Sequence, residues 1–421
     1  MEAAKSKSVV VIGGGASGFF AAIQAATLNP DAQVIIYERG PNVLGKVSVS
    51  GGGRCNVTHA CFDPHELIKN YPRGGKSLIG PFTKFGPTET IKWFEDRGVE
   101  LKTEDDGRMF PITDSSATII DCLLASAKKL GIEIHTSEGL NHFSYNDESS
   151  KWNLKMNSGG ELNADYLILA ASCSSLILKR LEELSIKIAP LYPSLFTFNC
   201  NDNFIGDLAG VSVEEVIVSI LHLKIKTKGP FLITHWGFSG PAILKSSSIA
   251  AVDLADFNYN FDIAINFLPS YNSESLIVKL NDIKSLWAKK QVSTISPFES
   301  ISKRLWSRIV ERSQIETKFN WADLSKKHLN ALASNLLAAT FKIEGKSIFK
   351  EEFVTAGGVD LNEIDFKTMR LKKLQRIYVV GELINVDAVT GGFNFQNAWT
   401  TGWIAGSSIA SSLDFAREAL S

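Results

Sequence analysis

Gly13, Gly15 and Gly18 are spaced G-x-G-x-x-G in "VIGGGASG", and the acidic residue Glu38 follows, with Arg39 next to it. This spacing suits the binding of a dinucleotide. Gly13 permits a tight turn, Gly15 lets the backbone approach a pyrophosphate, and Gly18 lets a helix pack closely on a strand. Ala16 and Ser17 open that helix, whose free N–H groups and positive dipole end would meet the phosphates. Glu38 would accept hydrogen bonds from the adenosine ribose hydroxyls. The competing reading is a glycine-rich turn in a plain α/β protein. The preceding strand, the following helix and the downstream acid together favour the dinucleotide.

Two further glycine clusters bear on which dinucleotide it is. In "GKVSVSGGGRCN", Ser50 leads into Gly51, Gly52 and Gly53, then Arg54, Cys55 and Asn56. Three bare residues permit the close approach of something flat and large. Arg54 could reach a phosphate or a carbonyl oxygen, and Asn56 could donate and accept at a ring edge. Lys46 stands just before, as a phosphate ligand or a solvated lysine. Far downstream, "VVGELINVDAVTGGFNFQNAWTTG" carries Gly381, Glu382, Asp387, Gly391, Gly392, Phe393 and Asn394, then a helix of small residues. A helix start aimed at a flavin would stabilise negative charge on the reduced ring. Cys55 is a candidate catalytic group, as a redox partner, an acid or a charge-transfer donor. It has no resolving cysteine at C-x-x-C spacing, so a packing role is the favoured reading. His59 and His235 are candidate general acids, each more often structural. Phe393 and Trp399 read as core.

The elements that position these residues follow from hydropathy. Ser8–Ile12 is a continuous β-branched run, expected as a buried parallel strand. A helix is expected over Ala16–Leu28 and a second strand over Gln33–Tyr37. Further on, a helix is expected over Ser115–Leu130, short strands at "IEIHT" and "WNLKM", and buried strands at "DYLILAA" and "RIYVVGE". From about Pro190 to Phe267 the pattern alternates, as in "SVEEVIVSILHLKIKTKGPFLITHWG", which predicts an antiparallel sheet or barrel. Ser273–Leu337 is richer in helix formers. The fold class expected is α/β: a nucleotide-binding Rossmann-like domain over 1–189 and 346–421, which the resemblance given below makes FAD-binding, interrupted by an inserted β-barrel-like and helical domain over 190–345.

Composition bounds the rest. The chain has 421 residues, too many for one ordinary core. Net charge is −1, so no global basic field draws nucleic acid. The polar start and the absence of a long apolar run predict a cytoplasmic protein with no membrane partner. Five scattered cysteines and seven histidines without H-E-x-x-H spacing show neither a disulfide framework nor a metal site.

The motifs resemble those of the bacterial BaiN/RdsA-type NAD(P)/FAD-dependent oxidoreductases, also called YhiN-like flavoproteins. The carriers are "VIGGGASG", "GKVSVSGGGRCNVT", "GRMFPITDSSA", "THWGFSGPAIL", "TAGGVDLNEIDFKTM" and "GELINVDAVTGGFNFQNAWTTG", in family order over nearly the whole chain. The resemblance implies FAD as cofactor and NADH or NADPH as a transient hydride donor. It places "SGGGRCN" against the flavin, Glu382 near the ribityl and pyrophosphate segment, and Gly391, Gly392 and Asn394 along the pyrimidine side. It implies reduction of a C=C bond in a small molecule, with uridine of ribosomal RNA or amine oxidation as alternatives; a non-catalytic flavin-binding role is a further alternative, motivated by a loop that departs from the family. One loop departs from the family: Ala171, Ser172 and Cys173 stand where a Thr-Gly-Gly turn is usual.

Overall fold

The computed structural model describes residues 7–346 and 354–418. Residues 1–6, read above as a polar start, and residues 347–353, beside the expected domain boundary, lie outside the described residues. The chain divides into two compact units, Met1–Tyr192 with Val354–Ser421, and Pro193–Phe353.

The first unit is built on a seven-stranded sheet. Its strands β1 (Ser8–Ile12), β2 (Gln33–Tyr37), β3 (Glu133–His135), β4 (Tyr166–Leu169) and β5 (Ile377–Val379) run in the order β5-β4-β1-β2-β3. All four pairings among these five are parallel. Two short antiparallel strands, Ile364–Asp365 and Arg370–Leu371, extend the β5 edge. Val9, Val10 and Val11 of β1 are fully buried, as the central strand of a sheet covered on both faces requires. One cover is α1 (Ala16–Leu28), on which α3 (Phe393–Glu418) packs. The approach is close because Gly402 and Gly406 present no side chain. A Cβ on Gly402 would lie 2.4 Å from the carbonyl oxygen of Ser17, and one on Gly406 2.5 Å from that of Ala21. A meander of Leu140–Asn146, Lys151–Met156 and Glu161–Ala164 connects β3 to β4. A three-stranded sheet of Thr58–His59, Arg108–Pro111 and Leu101–Thr103 carries the segment after the second glycine cluster.

The second unit holds a six-stranded antiparallel sheet that nearly closes into a barrel. Its long hairpin is Ser212–Ile220 paired with Ile225–Ile233. The first strand, Phe198–Asn199, reaches the last, Ala339–Glu344, through a bridge from Phe198 to Lys346 and a 3.1 Å hydrogen bond from Asn199 N–H to the Gly345 carbonyl. Helices Pro241–Ile249, Ala251–Asp256, Ser273–Leu286, Lys303–Arg312 and Lys326–Leu337 also belong to the unit. Its core is separate, centred on Trp306 and Trp321, whose rings stack at 6.1 Å. Val216, Val218 and Ile220 point inward at the two-residue period that predicted this sheet, and a bulge between Val213 and Val216 brings Val213 to the same face.

Candidate functional site

The first glycine cluster is shaped by contacts of two kinds. Gly13 has φ +113°, and a Cβ there would sit 2.6 Å from the backbone of Ala170 at the end of β4. A Cβ on Gly18 would sit 2.0 Å from the carbonyl oxygen of Gly13. These two glycines are demanded by the fold itself. Gly15 is different: it has φ −91°, and a Cβ there would meet nothing within 4 Å. Neither backbone conformation nor packing requires glycine at that point, which is what a cradle for an external group looks like. α1 begins beside it with no side-chain cap and no acidic residue in its first turn. The amides at Ala16, Ser17 and Gly18 therefore keep the positive end of the helix unneutralised. Glu38, at the end of β2, accepts from the Gly14 N–H at 2.9 Å and from the Gly40 N–H at 2.7 Å, one on each oxygen. It pins the turn and still has lone pairs to offer. Arg39 is exposed.

The second cluster closes a helix. α2 (Gly45–Gly53) is broken at Ser50, and Gly51, Gly52 and Gly53 follow with φ of +58°, +70° and +83°. Three consecutive left-handed residues are readily adopted only by glycine. All three are exposed, and Cβ atoms on Gly52 and Gly53 would meet nothing within 4 Å. Ser50 donates its hydroxyl to the Val47 carbonyl at 3.0 Å. Arg54 lies over the Phe110 ring at 4.0 Å and pairs with Glu104 at 2.6 Å. Cys55 is wholly buried, and burial pushes its thiol up to about 12, opposed in part by a hydrogen bond with Ser50. It stays protonated and faces the core. Asn56 reaches the third cluster: its amide oxygen accepts from the Gly392 N–H at 2.9 Å and its nitrogen donates to the Thr58 carbonyl at 3.0 Å, an orientation assigned from these neighbours.

The third cluster completes one continuous patch. Gly381, at the turn after β5, has φ +67°, and a Cβ there would lie 2.4 Å from the Ser17 hydroxyl. Glu382 accepts from the Thr355 N–H at 2.9 Å and forms an ion pair with Lys46. The departing loop packs here too: Cys173 donates its thiol to the Glu382 carbonyl at 3.1 Å, and burial pushes that thiol up to about 12. A Cβ on Gly392 would strike the Thr58 carbonyl oxygen at 2.5 Å.

Some expected ligands are placed otherwise. Asp387 does not line the patch: it is fully buried, and its two oxygens engage Nε and Nη2 of Arg73. Phe393 is buried and stacks on His59 at 4.6 Å, as a core ring does. Asn394 turns its side chain onto its own loop, accepting from the Ala388 N–H at 3.0 Å and donating to the Ala388 carbonyl at 3.1 Å. His59 donates from Nε2 to the Asp106 carbonyl at 3.1 Å, and Trp399 is buried with its N–H on the Val57 carbonyl at 2.9 Å. His235 is exposed and belongs to the second unit. Sequence reading did not find Arg73 or the acceptors of Arg54, because each pair joins segments far apart with no local pattern. Among the described residues no group of three or more His, Cys, Asp or Glu could hold a metal ion, and no helix is long and apolar enough to cross a membrane.

Comparison with known proteins agrees with this architecture. The chain is 27% identical over 414 residues to the 3-dehydro-bile acid delta(4,6)-reductase of Clostridium scindens, covering 95% of this chain and 98% of that protein. It is 26% identical over 413 residues to the ribosomal RNA dihydrouridine synthase of Haemophilus influenzae, with the same coverage. Among solved structures, the 3-ketosteroid-delta4-(5alpha)-dehydrogenase of Rhodococcus jostii RHA1 superposes with a TM-score of 0.53 at 13% identity, covering 97% of this chain and 98% of that one, a likeness of fold. The model of the HI0933-like protein Rossmann domain matches residues 7–408. The chain belongs to this family, that of the BaiN/RdsA-type flavoproteins its motifs resemble, and is an FAD-dependent oxidoreductase.

Proposed function

We propose that this enzyme reduces a carbon–carbon double bond in a small molecule, with NADH or NADPH as the source of electrons. The observation that carries the cofactor side is the pairing of an uncapped helix start at Gly15 with the bare, left-handed turn at Gly51–Gly53. A ligand with both a pyrophosphate and a large planar ring is what such a pair accommodates. The amides of residues 15–18, with Lys46, would hold the pyrophosphate, and Glu38 the ribose. Gly51–Gly53 and Gly391–Gly392 would lie along the ring, with Glu382 beside the chain that joins them. FAD supplies hydride transfer when bound. The chain's own residues orient the ring and exclude water from one face. The buried, protonated Cys55 acts as packing.

The C=C bond is supported by the relatives' names, since a delta(4,6)-reductase and a dihydrouridine synthase both saturate such a bond in a ring. A small molecule is preferred over RNA because the net charge is only −1 and several lysines of the basic runs "KIKTK" (Lys224–Lys228) and "KKLQR" (Lys372–Arg376) are paired within the protein. Lys228 pairs with Glu215 at 2.9 Å, Lys373 with Glu363 at 2.8 Å, and Lys372 donates to the Asn362 carbonyl at 2.8 Å. The test is an absorption spectrum of the purified protein, then anaerobic addition of NADH or NADPH. Flavin bands that bleach are expected. Bands that persist point to an oxidase or a non-catalytic flavin protein, and absence of bands after adding FAD overturns the reading.

A further inference from the structure

We infer that Arg54 anchors the substrate, its Nε and Nη2 donors taking the oxygen of a carbonyl conjugated to the double bond that is reduced. This rests on the reading above. Arg54 directly follows Gly53, and the space over Gly52 and Gly53 is open. A flavin lying on that bare backbone would have this guanidinium at its side, within reach of a substrate stacked on the ring's open face.

The side chain is held in advance. Its guanidinium carbon lies 4.0 Å from the centre of the Phe110 ring, and that ring packs against Gly51, where a Cβ would sit 2.9 Å away. Its hydrogen bonds to Glu104 at 2.6 Å and Asp114 at 3.4 Å both leave from Nη1. Glu104 is gripped in turn by Arg108 at 2.9 Å. Nε and Nη2 hydrogen-bond to none of the described residues and are not buried, and the side chain is 32% exposed. The same edge on Arg73 grips Asp387. Arg54 thus presents an oriented two-donor fork with no acceptor, the arrangement that binds oxygen at least ordering cost.

The charge around it selects the kind of oxygen. Arg54, Arg108 and Lys102 face Glu104, Asp106 and Asp114 in one network of ion pairs. Three cations against three carboxylates leave no net field to draw a phosphate or a carboxylate. A neutral carbonyl needs none, and gains as charge develops on it. Saturation of a conjugated C=C bond adds a hydride to one carbon and a proton to the other, its two electrons coming from the reduced nicotinamide. Between the two additions the negative charge rests on the carbonyl oxygen, where two fixed N–H donors lower its cost. A steroid-type enone and the imide of a uracil ring share this chemistry.

The test uses FAD-loaded wild type, Arg54→Gln and Arg54→Lys. Flavin content, the flavin spectrum and bleaching by NADPH or NADH are recorded first. Dissociation constants then follow from the shift in flavin absorbance on titration with 4-androstene-3,17-dione and, separately, uridine. Binding constants are compared between proteins loaded to equal flavin content. The probe that binds wild type should bind Arg54→Gln at least about tenfold more weakly, with Arg54→Lys between, because a lysine keeps the charge without the fork. Weakening in Arg54→Gln confined to one probe names the source. An unchanged constant in Arg54→Gln, loss of flavin from that variant, or a loaded wild type that binds neither probe overturns the anchor alone. A wild type that holds no flavin overturns the preceding reading and the anchor with it.

Discussion

The amide oxygen of Asn56 accepts from the backbone N–H of Gly392 at 2.9 Å, stitching the second glycine cluster to the third. Two segments at opposite ends of the sequence thereby form one wall of the site. Each depends on the other for its shape.

Gly392→Ala tests that wall. The residue has φ +90°, and its Cβ would strike the Thr58 carbonyl oxygen at 2.5 Å. Left-handed strain and the collision together should cost about 2 kcal/mol or more. Thermal unfolding reads this directly, and an unshifted midpoint would show that the wall yields freely.

Gly15→Ala and Gly18→Ala should separate binding from stability. A Cβ on Gly15 has open space, so that variant should fold with an unchanged melting temperature in the absence of cofactor yet bind FAD more weakly. Gly18→Ala should destabilise the protein with or without cofactor, since its Cβ would sit 2.0 Å from the Gly13 oxygen. Equal FAD affinity in wild type and Gly15→Ala would remove the pyrophosphate from this turn.

Cys55→Ala should retain flavin and its reduction by nicotinamide. The thiol is buried and pushed up to about 12, so essentially no thiolate exists at neutral pH. Alkylation of Cys55 in the folded protein at pH 8 should be slow, followed by mass spectrometry of the digested protein. Rapid labelling, or loss of flavin reduction in the variant, would restore the thiol as a chemical participant.

Arg73→Met should be strongly destabilising, by about 3 kcal/mol, because it strands the fully buried Asp387 carboxylate. Arg73→Met with Asp387→Leu should recover much of the loss. Denaturant unfolding of the single and double variants measures the coupling, and simple additivity would show that the pair does not act as a unit.

Asp165 should make the protein acid-sensitive. Burial alone would raise its carboxyl, but the Ser8 N–H at 2.9 Å and the cations of Lys7 and Lys151 outweigh burial and hold it below the usual range. A group depressed in the folded state stabilises above its unfolded value of about 4, and that stabilisation is lost as pH falls through the folded value. Stability should therefore decline below about pH 4, and Asp165→Asn should flatten that slope while lowering stability at pH 7.

What could be read from the sequence was what local pattern dictates. Ser8–Ile12, Ala16–Leu28 and Gln33–Tyr37 have the bounds expected of them, since a buried β-branched run and a glycine turn mark their own ends. The hairpin of Ser212–Ile233 announced itself by alternation. The helical start of Gly45–Gly53 was hidden, because three glycines read as loop whatever precedes them. Strands of two residues such as Thr58–His59 carry no period at all. At the site, residue types pointed to Gly15, Glu38 and Gly51–Gly53. They gave no sign that Asp387 is buried against Arg73, which lies in a segment with no motif. Local chemistry is written in the sequence, whereas long-range partners are decided by the packed fold.

The parallel sheet carries a further consequence for how the molecule comes into being. β4 lies between β1 and β5, and β5 is encoded after the whole of Pro193–Phe353. While the ribosome is still translating that insertion, the β4 edge has no partner and α1 has no α3 to cover it. The inserted unit, with its own core, has everything it needs to fold as it emerges. The unit that holds the cofactor must wait, its apolar edge open to chaperones or to misassembly. With Gly381–Gly392 along the flavin as proposed, flavin capture is then a late event in the life of each chain, available only once that segment has left the exit tunnel.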